Sequence, residues 1–367
     1  MNLLKNFTFL NANKLNILSR KYAEKKIIKY GKPFLDIEKI KENFFSNNTS
    51  LLKKISKIRK IYLKQPKRKF CKVCNKKLQG EYFINHKIKY IICNQCSHLN
   101  GSNQDTTDFS KKIYLSKKVD YIKNYHESVS QNFIERQKKI YDPKVKFLKN
   151  IFKNHKKIKV LDVGTGSGYF VSSLLDARFK DAIGLEFSKS QINFGKSIFK
   201  KIGKDDTKLH FKEYSKIIEY VKKTDFECLT LIGVLEHLVD MKNFLKCVNE
   251  NKKIKYIYLC VPMFSFSCIF ENIFDKVFNR HLGGGHTHLF TNKSLNLLMA
   301  KFGFKSHSEW WFGTDFTDLF RSINVSVFKK NPGLVGKITE FKNLVDRFQI
   351  TVDKNKLSSQ AHIFFKR

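Results

Sequence analysis

The sequence predicts an α/β fold preceded by a helical N-terminal region and a small cysteine-bearing ribbon, and three observations predict it. The first is Val160–Phe170, VLDVGTGSGYF. Val160, Leu161 and Val163 read as a short buried strand, and Gly164, Gly166 and Gly168 as the turn after it. From Tyr169 to Phe179 the apolar residues Phe170, Leu174, Leu175 and Ala177 recur at helical spacing. The second is the sequel, in which strand-like runs at Ala182–Leu185, Lys208–Phe211, Phe226–Val234 and Tyr256–Val261 are interleaved with helical stretches. The third is Cys71-x-x-Cys74 with Cys93-x-x-Cys96, two knuckles separated by strand-like residues.

Length and charge bound the function. At 367 residues, 42% of them hydrophobic, the chain suits one domain with an appendage, or two domains with a real core. A formal charge of +39 suggests nucleic acid, an acidic membrane surface or an anionic small substrate. Lys is dispersed rather than massed on one element, so the charge reads first as a bias of the whole composition. No run reaches the ~18 uninterrupted apolar residues of a membrane helix. Ile257–Phe270 is too short and contains Pro262. Asn6, Asn11, Asn13 and Asn16 interrupt the basic start Met1–Arg20, so a signal-like core is not expected and the compartment reads as the cytoplasm.

Taken in order, residues 1–69 carry nineteen Lys and Arg against four acids. Leu51, Leu52, Ile55, Ile58 and Leu63 suggest amphipathic helices that dock on the body. Residues 70–108 form the ribbon. Four thiolates in two knuckles joined by a hairpin (Tyr82, Phe83, Ile84; Ile88, Tyr90, Ile91) can close a tetrahedral zinc site. Cys71, Cys74, Cys93 and Cys96 are its expected ligands, and the ion would be structural, folding a piece too small to bury its own core. His86 and His98 read as bystanders, because four sulfurs complete the shell. Residues 109–156 read as a helical linker or lid with a break at Asp142-Pro143; Tyr114, Tyr121 and Tyr125 either pack there or cover a ligand. The remaining residues, 157–367, form the main domain.

The glycine turn is where a polar cofactor can settle, on free backbone N–H groups and a helix N-terminus. A dinucleotide fingerprint would need glycine at 169, which is Tyr169. Eighteen residues beyond Gly168, Glu186 ends the second strand, where a carboxylate can accept both ribose hydroxyls. Ser188 reads as an N-cap, and Glu213 is the acid that follows the third strand. A helix is expected over Asn292–Phe302, closed by Gly303; Ala361–Phe365 is expected as the last strand, with Asn331–Lys356 an insertion or hairpin connection.

The pattern D-x-G-x-G-x-G at Asp162–Gly168 resembles motif I of the class I S-adenosylmethionine (SAM) methyltransferases, in which an acid precedes the glycines by two residues. Leu235-Glu236-His237-Leu238 after the fourth strand is similar to the same segment in their small-molecule branch, as are Pro262 after the fifth and His286-x-His288-x-Phe290-Thr291 before a helix. These ordered motifs run from about Lys157 to Phe312. The thiol knuckles with a basic-aromatic linker resemble sugar and polysaccharide-cluster methyltransferases. The resemblance implies a Rossmann-like seven-stranded sheet and SAM as cofactor, with Asp162, Gly164, Thr165, Gly166, Gly168, Glu186, Phe187 and Gly233 around it.

Transfer of a methyl group from a sulfonium needs an aligned acceptor and often a base. His237 is the expected base, with Glu236 orienting it, or else His237 packs under the cofactor and Glu236 braces the next helix. Some relatives hold a divalent ion on Glu and His here with another Glu three residues earlier; that position is Gly233, which argues against a metal. His286 and His288 are expected to contact the acceptor or to shape the turn, and Trp310, Trp311, Asp315 and Asp318 to wall it. The leading function is methylation of a small polar acceptor, such as a sugar or nucleotide-sugar in surface polysaccharide biosynthesis. The alternatives are an RNA methyltransferase and a non-catalytic scaffold; Leu235-Glu236-His237-Leu238 speaks against the Asn/Asp-Pro-Pro-aromatic motif of amino-methylating base enzymes.

Overall fold

The computed structural model describes residues 24–33, 47–114 and 130–367. Its strands are β1 (Ile28–Tyr30), β2 (Tyr82–Asn85), β3 (Ile88–Ile92), β4 (Leu99–Gly101), β5 (Lys159–Val163), β6 (Asp181–Glu186), β7 (Leu209–Phe211), β8 (Cys228–Ile232), β9 (Tyr256–Pro262), β10 (His288–Leu289), β11 (Lys305–Trp311) and β12 (Gln360–Lys366). The main sheet runs β1-β11-β12-β9-β8-β5-β6-β7. Strands β5 to β9 are mutually parallel, and β12 is antiparallel to both β9 and β11. The architecture is the expected Rossmann-like α/β fold, with seven strands from residues 157–367. Ile28–Tyr30 of the basic N-terminal region adds an eighth, in parallel to β11.

Alternation along the strands sorts the core into two layers. Leu161, Val163, Leu185, Leu229 and Leu259 face one set of helices, with Phe244, Leu245 and Leu298 packed over them. Val160, Ala182, Cys228 and Tyr258 face the other way, onto Phe147, Leu148, Phe170 and Leu174. β9 is buried along its whole length, as expected for a central strand covered on both faces.

Asp142-Pro143 does not break the chain. A helix from Ser130–Arg136 passes through one π-turn, Gln137–Tyr141, into the helix Asp142–Ile151. Pro143 sits in the first turn of that last helix, where its missing N–H costs nothing. The helix Thr107–Tyr114 is described up to Tyr114; Tyr121, Tyr125 and Met1–Arg20 lie outside the described residues. The helix Asn48–Leu63 docks as expected, burying Ile55, Ile58 and Tyr62 against Tyr90 and Leu99. Asn331–Lys356 is helical, with turns at Val335–Glu340 and Val345–Lys354.

Trp310 and Trp311 do not wall a crevice. They are consecutive residues of β11 and go to opposite layers, buried to 1% and 0% exposure. Trp310 donates to the Gly31 carbonyl at 2.9 Å, so it also fastens the N-terminal strand. Asp315 is buried as an acceptor for Ser265, Ser267 and the Ser359 N–H, and Asp318 holds Arg280 at 2.9 Å. Both acids shape the fold around the site.

Candidate active site

The carboxyl ends of β5, β6 and β8 meet at one crevice. Gly164 and Gly166 both have left-handed backbones, with φ of +74° and +58°. A Cβ on Gly164 would lie 2.5 Å from Val234 Cγ2, so this glycine lets the turn after β5 close on the turn after β8. A Cβ on Gly166 would meet nothing within 4 Å: it would project into the open cradle. Gly168 precedes the helix Tyr169–Asp176, whose first turn presents its N–H groups to the same place.

Glu186 ends β6 against that turn. Its carboxylate accepts from the N–H groups of Gly166 at 3.0 Å, Phe187 at 2.9 Å and Ser188 at 2.9 Å. Burial raises its pKa, and the three N–H bonds act in the opposite sense. Ser188 stands at the N-cap position of the helix Lys189–Lys201, yet its hydroxyl makes no cap bond and meets Ser190 instead. Phe187 leaves 38% of its surface exposed beside the cradle. Asp162 points into the sheet, where it accepts from the Thr230 hydroxyl at 2.6 Å, and burial pushes its pKa up to about 7. Thr165 packs under the turn against Gly184, where an added Cβ would come within 2.5 Å of it. Glu213 is exposed at the start of the helix Tyr214–Lys223.

On the far side of the crevice, Leu235–His237 makes a short helical turn after Gly233. Glu236 is buried, one of its oxygens has no hydrogen-bond partner, and desolvation pushes its pKa up to about 8. His237 lies 3.8 Å from the other oxygen, and desolvation followed by the Lys72 charge holds its pKa down to about 4. The loop Arg280–Thr291 lays His286 on His237, with ring centroids 5.6 Å apart and planes 19° from parallel. His281 continues the column 6.3 Å beyond His286. One ligand atom each from Glu236, His237 and His286 fall within 4.8 Å of one another. Gly233 withholds a ligand, but His286 supplies a third, so the trio can hold a divalent ion.

His288 is placed differently from His286. It is fully buried on β10, and its Nδ1 lies 3.0 Å from His98 Nε2. His98, passed over in the sequence, is therefore the joint between ribbon and loop. Nothing in its local pattern marks it, because the partner is 190 residues away. Glu271 was missed for the same reason: it collects the N–H groups of Arg280, His281 and Leu282 and so sets where the loop begins.

The four ribbon cysteines converge. Cys71 and Cys96 sulfurs are 3.6 Å apart and those of Cys74 and Cys93 3.7 Å, far beyond a disulfide. Two sulfurs bound to one tetrahedral zinc at about 2.3 Å would stand about 3.8 Å apart, so the donor set fits that ion. Without an ion the Cys71–Cys96 contact draws the Cys71 thiol down and pushes the Cys96 thiol up, because the two sulfurs share one proton.

Residues 133–309 match the family model described as a methyltransferase domain. The match covers just under half of the chain. Solved structures of methyltransferases resemble the chain at low identity. A SAM-dependent methyltransferase from Archaeoglobus fulgidus is 16% identical, covering 67% of this chain and 100% of that one, with a TM-score of 0.41. Magnesium protoporphyrin IX methyltransferase from Synechocystis PCC 6803, with bound SAH, is 8% identical over 71% and 100%, with a TM-score of 0.45. The methyltransferase domain of a bacterial Hen1 protein is 18% identical over 64% and 100%, with a TM-score of 0.41. No curated protein matches the chain. Among the described residues, no helix is long and apolar enough to cross a membrane.

Proposed function

We propose that the chain transfers the methyl group of SAM to a small polar acceptor of the sugar or nucleotide-sugar class, with a structural zinc ion in its ribbon. The observation that carries the reading is the cradle over Gly166, open on the side where a Cβ would point and faced by the Glu186 carboxylate. When bound, SAM supplies a sulfonium whose methyl carbon is open to in-line attack. The turn at Gly164, Gly166 and Gly168 would seat it above Asp162 and Thr165; the Gly164 and Gly168 N–H groups are held by the Leu185 and Thr165 carbonyls, so the N–H available to it is that of Gly166, released when Glu186 turns to the ribose. Glu186 exchanges its internal N–H bonds for ribose hydroxyls, Phe187 offers a flat apolar face, and Gly233 leaves the approach from β8 clear.

On the acceptor side, His237 takes the proton of the attacking hydroxyl. Its depressed pKa keeps the imidazole neutral at pH 7, the form that accepts. Glu236 orients the ring from behind, and His286 binds the acceptor from the facing loop. A wall of neutral imidazoles suits hydroxyl groups, which donate to ring nitrogens without needing a counter-charge.

Calorimetry tests the cofactor assignment. SAM should bind with micromolar affinity, roughly −8 kcal/mol, and NADH should not bind. Equal affinity for NADH overturns it, and no affinity for SAM leaves a non-catalytic scaffold. A second reading, RNA as acceptor, draws on the charge of +39 and predicts RNA binding that weakens steeply with salt.

A further inference from the structure

The middle of the acceptor loop is held by the ribbon and by the helix Asn48–Leu63 packed on it, rather than by the main sheet. Among the described residues β10 has one strand partner, β4, with His288 opposite Asn100 and Leu289 opposite Leu99. The Gly101 N–H donates to the Thr287 carbonyl at 2.9 Å, and the Gly284 N–H to the Tyr90 hydroxyl at 3.3 Å. Gly283 and Gly285 lie on Ile55, and Gly284 on the Arg59 backbone. The main domain grips only the ends of the loop, at Glu271 and at Phe290, whose carbonyl accepts from Phe264.

A chain of polar contacts runs from the sulfur cluster to His288, two residues from the imidazole column. Asn100 donates to Cys71 Sγ at 3.5 Å and to the His98 carbonyl at 2.9 Å; that carbonyl also accepts from the Cys93 N–H. The His98 ring meets Ser294 Oγ at 3.3 Å and His288 at 3.0 Å, with both imidazoles fully buried. His286, two residues before His288, then stacks on His237.

We propose that the metal-loaded ribbon is the positioning half of the acceptor site, and that His98 is the residue that transmits it, by fixing His288 and so the aim of His286 at His237. The claim rests on the proposed methyltransferase reading for its purpose and on the ribbon contacts for its mechanism. Four sulfurs tied by zinc set where Asn100 and His98 stand. Without the metal, the middle of the loop loses its strand partner and its buried imidazole contact together. The SAM cradle, built from β5, β6 and β8, stays in place.

Amide hydrogen exchange on the full-length chain tests this without an identified acceptor. Zinc-loaded protein is compared with chelator-stripped protein, His98→Ala and His98→Gln. Losing a buried hydrogen bond and the pairing it supports should speed exchange over residues 283–289 by about tenfold or more in stripped protein and in His98→Ala. His98→Gln, which can still reach His288 with an amide, should recover most of the protection. Zinc content should be unchanged in both His98 variants, and exchange in β5 and β8 should not move. Unchanged exchange over 283–289 after stripping overturns the proposal. So does loss of protection spread through the main sheet, which would make the ribbon a general folding staple. If SAM titration of the loaded wild type shows no binding, the functional reading fails, while the exchange pattern still decides the positioning claim.

Discussion

Gly166 separates folding from cofactor binding. Its φ of +58° costs a residue with a side chain about 1–2 kcal/mol, because the left-handed region crowds Cβ against the carbonyl. No further clash adds to this, since a Cβ would meet nothing within 4 Å. A domain stable by about 5–15 kcal/mol survives that loss, so Gly166→Ala and Gly166→Val should fold, melting a few degrees lower. Their side chains would nevertheless fill the cradle, and SAM affinity should fall by about a hundredfold or more, near 2.8 kcal/mol. Gly164→Ala is the contrast. Its Cβ would sit 2.5 Å from Val234 Cγ2, so overpacking of about 1–3 kcal/mol adds to the same backbone cost. Denaturant unfolding and SAM calorimetry on the three variants separate the effects. A Gly166→Val protein that binds SAM like the wild type refutes the reasoning, because the open space would not be the cofactor's seat.

Other perturbations address the remaining groups. Metal analysis should return one zinc per chain, and a Cys71→Ser, Cys93→Ser double variant should lose both the metal and stability; full zinc content in that variant refutes the ribbon site. With an acceptor in hand, His237→Ala should slow transfer by about 10²–10⁴-fold and leave SAM affinity within a few-fold. His237→Gln should be nearly as slow, and near-wild-type turnover in both variants would reduce His237 to packing. The His237 pKa is depressed to about 4, so the rate should stay flat through pH 6.5 and fall only as the pH nears 4; a limb at 6.5 would contradict its half-buried, neutral state. The unfolded chain protonates below about 6.5 while folded His237 does not, so stability from this group is present above pH 6.5 and lost between there and about 4, as urea midpoints across that range should show.

What was legible in the sequence is what depends on local spacing. The glycine turn and Glu186 lie within one strand–helix–strand crossover, and Leu235–His237 follows the strand on the other side of β5, so their types and order point to one crevice. The cysteine knuckles are legible for the same reason, since a tetrahedral shell needs short, regular ligand spacing. Contacts between distant segments were not. His98 and His288 are 190 residues apart, and neither carries a pattern naming the other. Ile28–Tyr30 becomes an eighth strand because the edge of β11 is available, which no periodicity in a Lys-rich segment reveals. Trp310 and Trp311 looked like a sugar-binding wall, but consecutive residues on a buried strand must face opposite layers. Pro143 looked like a break because its position in a first turn is visible only once the preceding π-turn is known.

Methyl-labelled SAM incubated with the full-length chain, in parallel with a pool of small metabolites and with RNA, tests the central claim most directly. The account predicts label in the small-molecule fraction, carried on a hydroxylated acceptor, with transfer reduced by about 10²-fold or more in His237→Ala. Label confined to the RNA fraction, or SAM bound with no transfer to either pool, would contradict it.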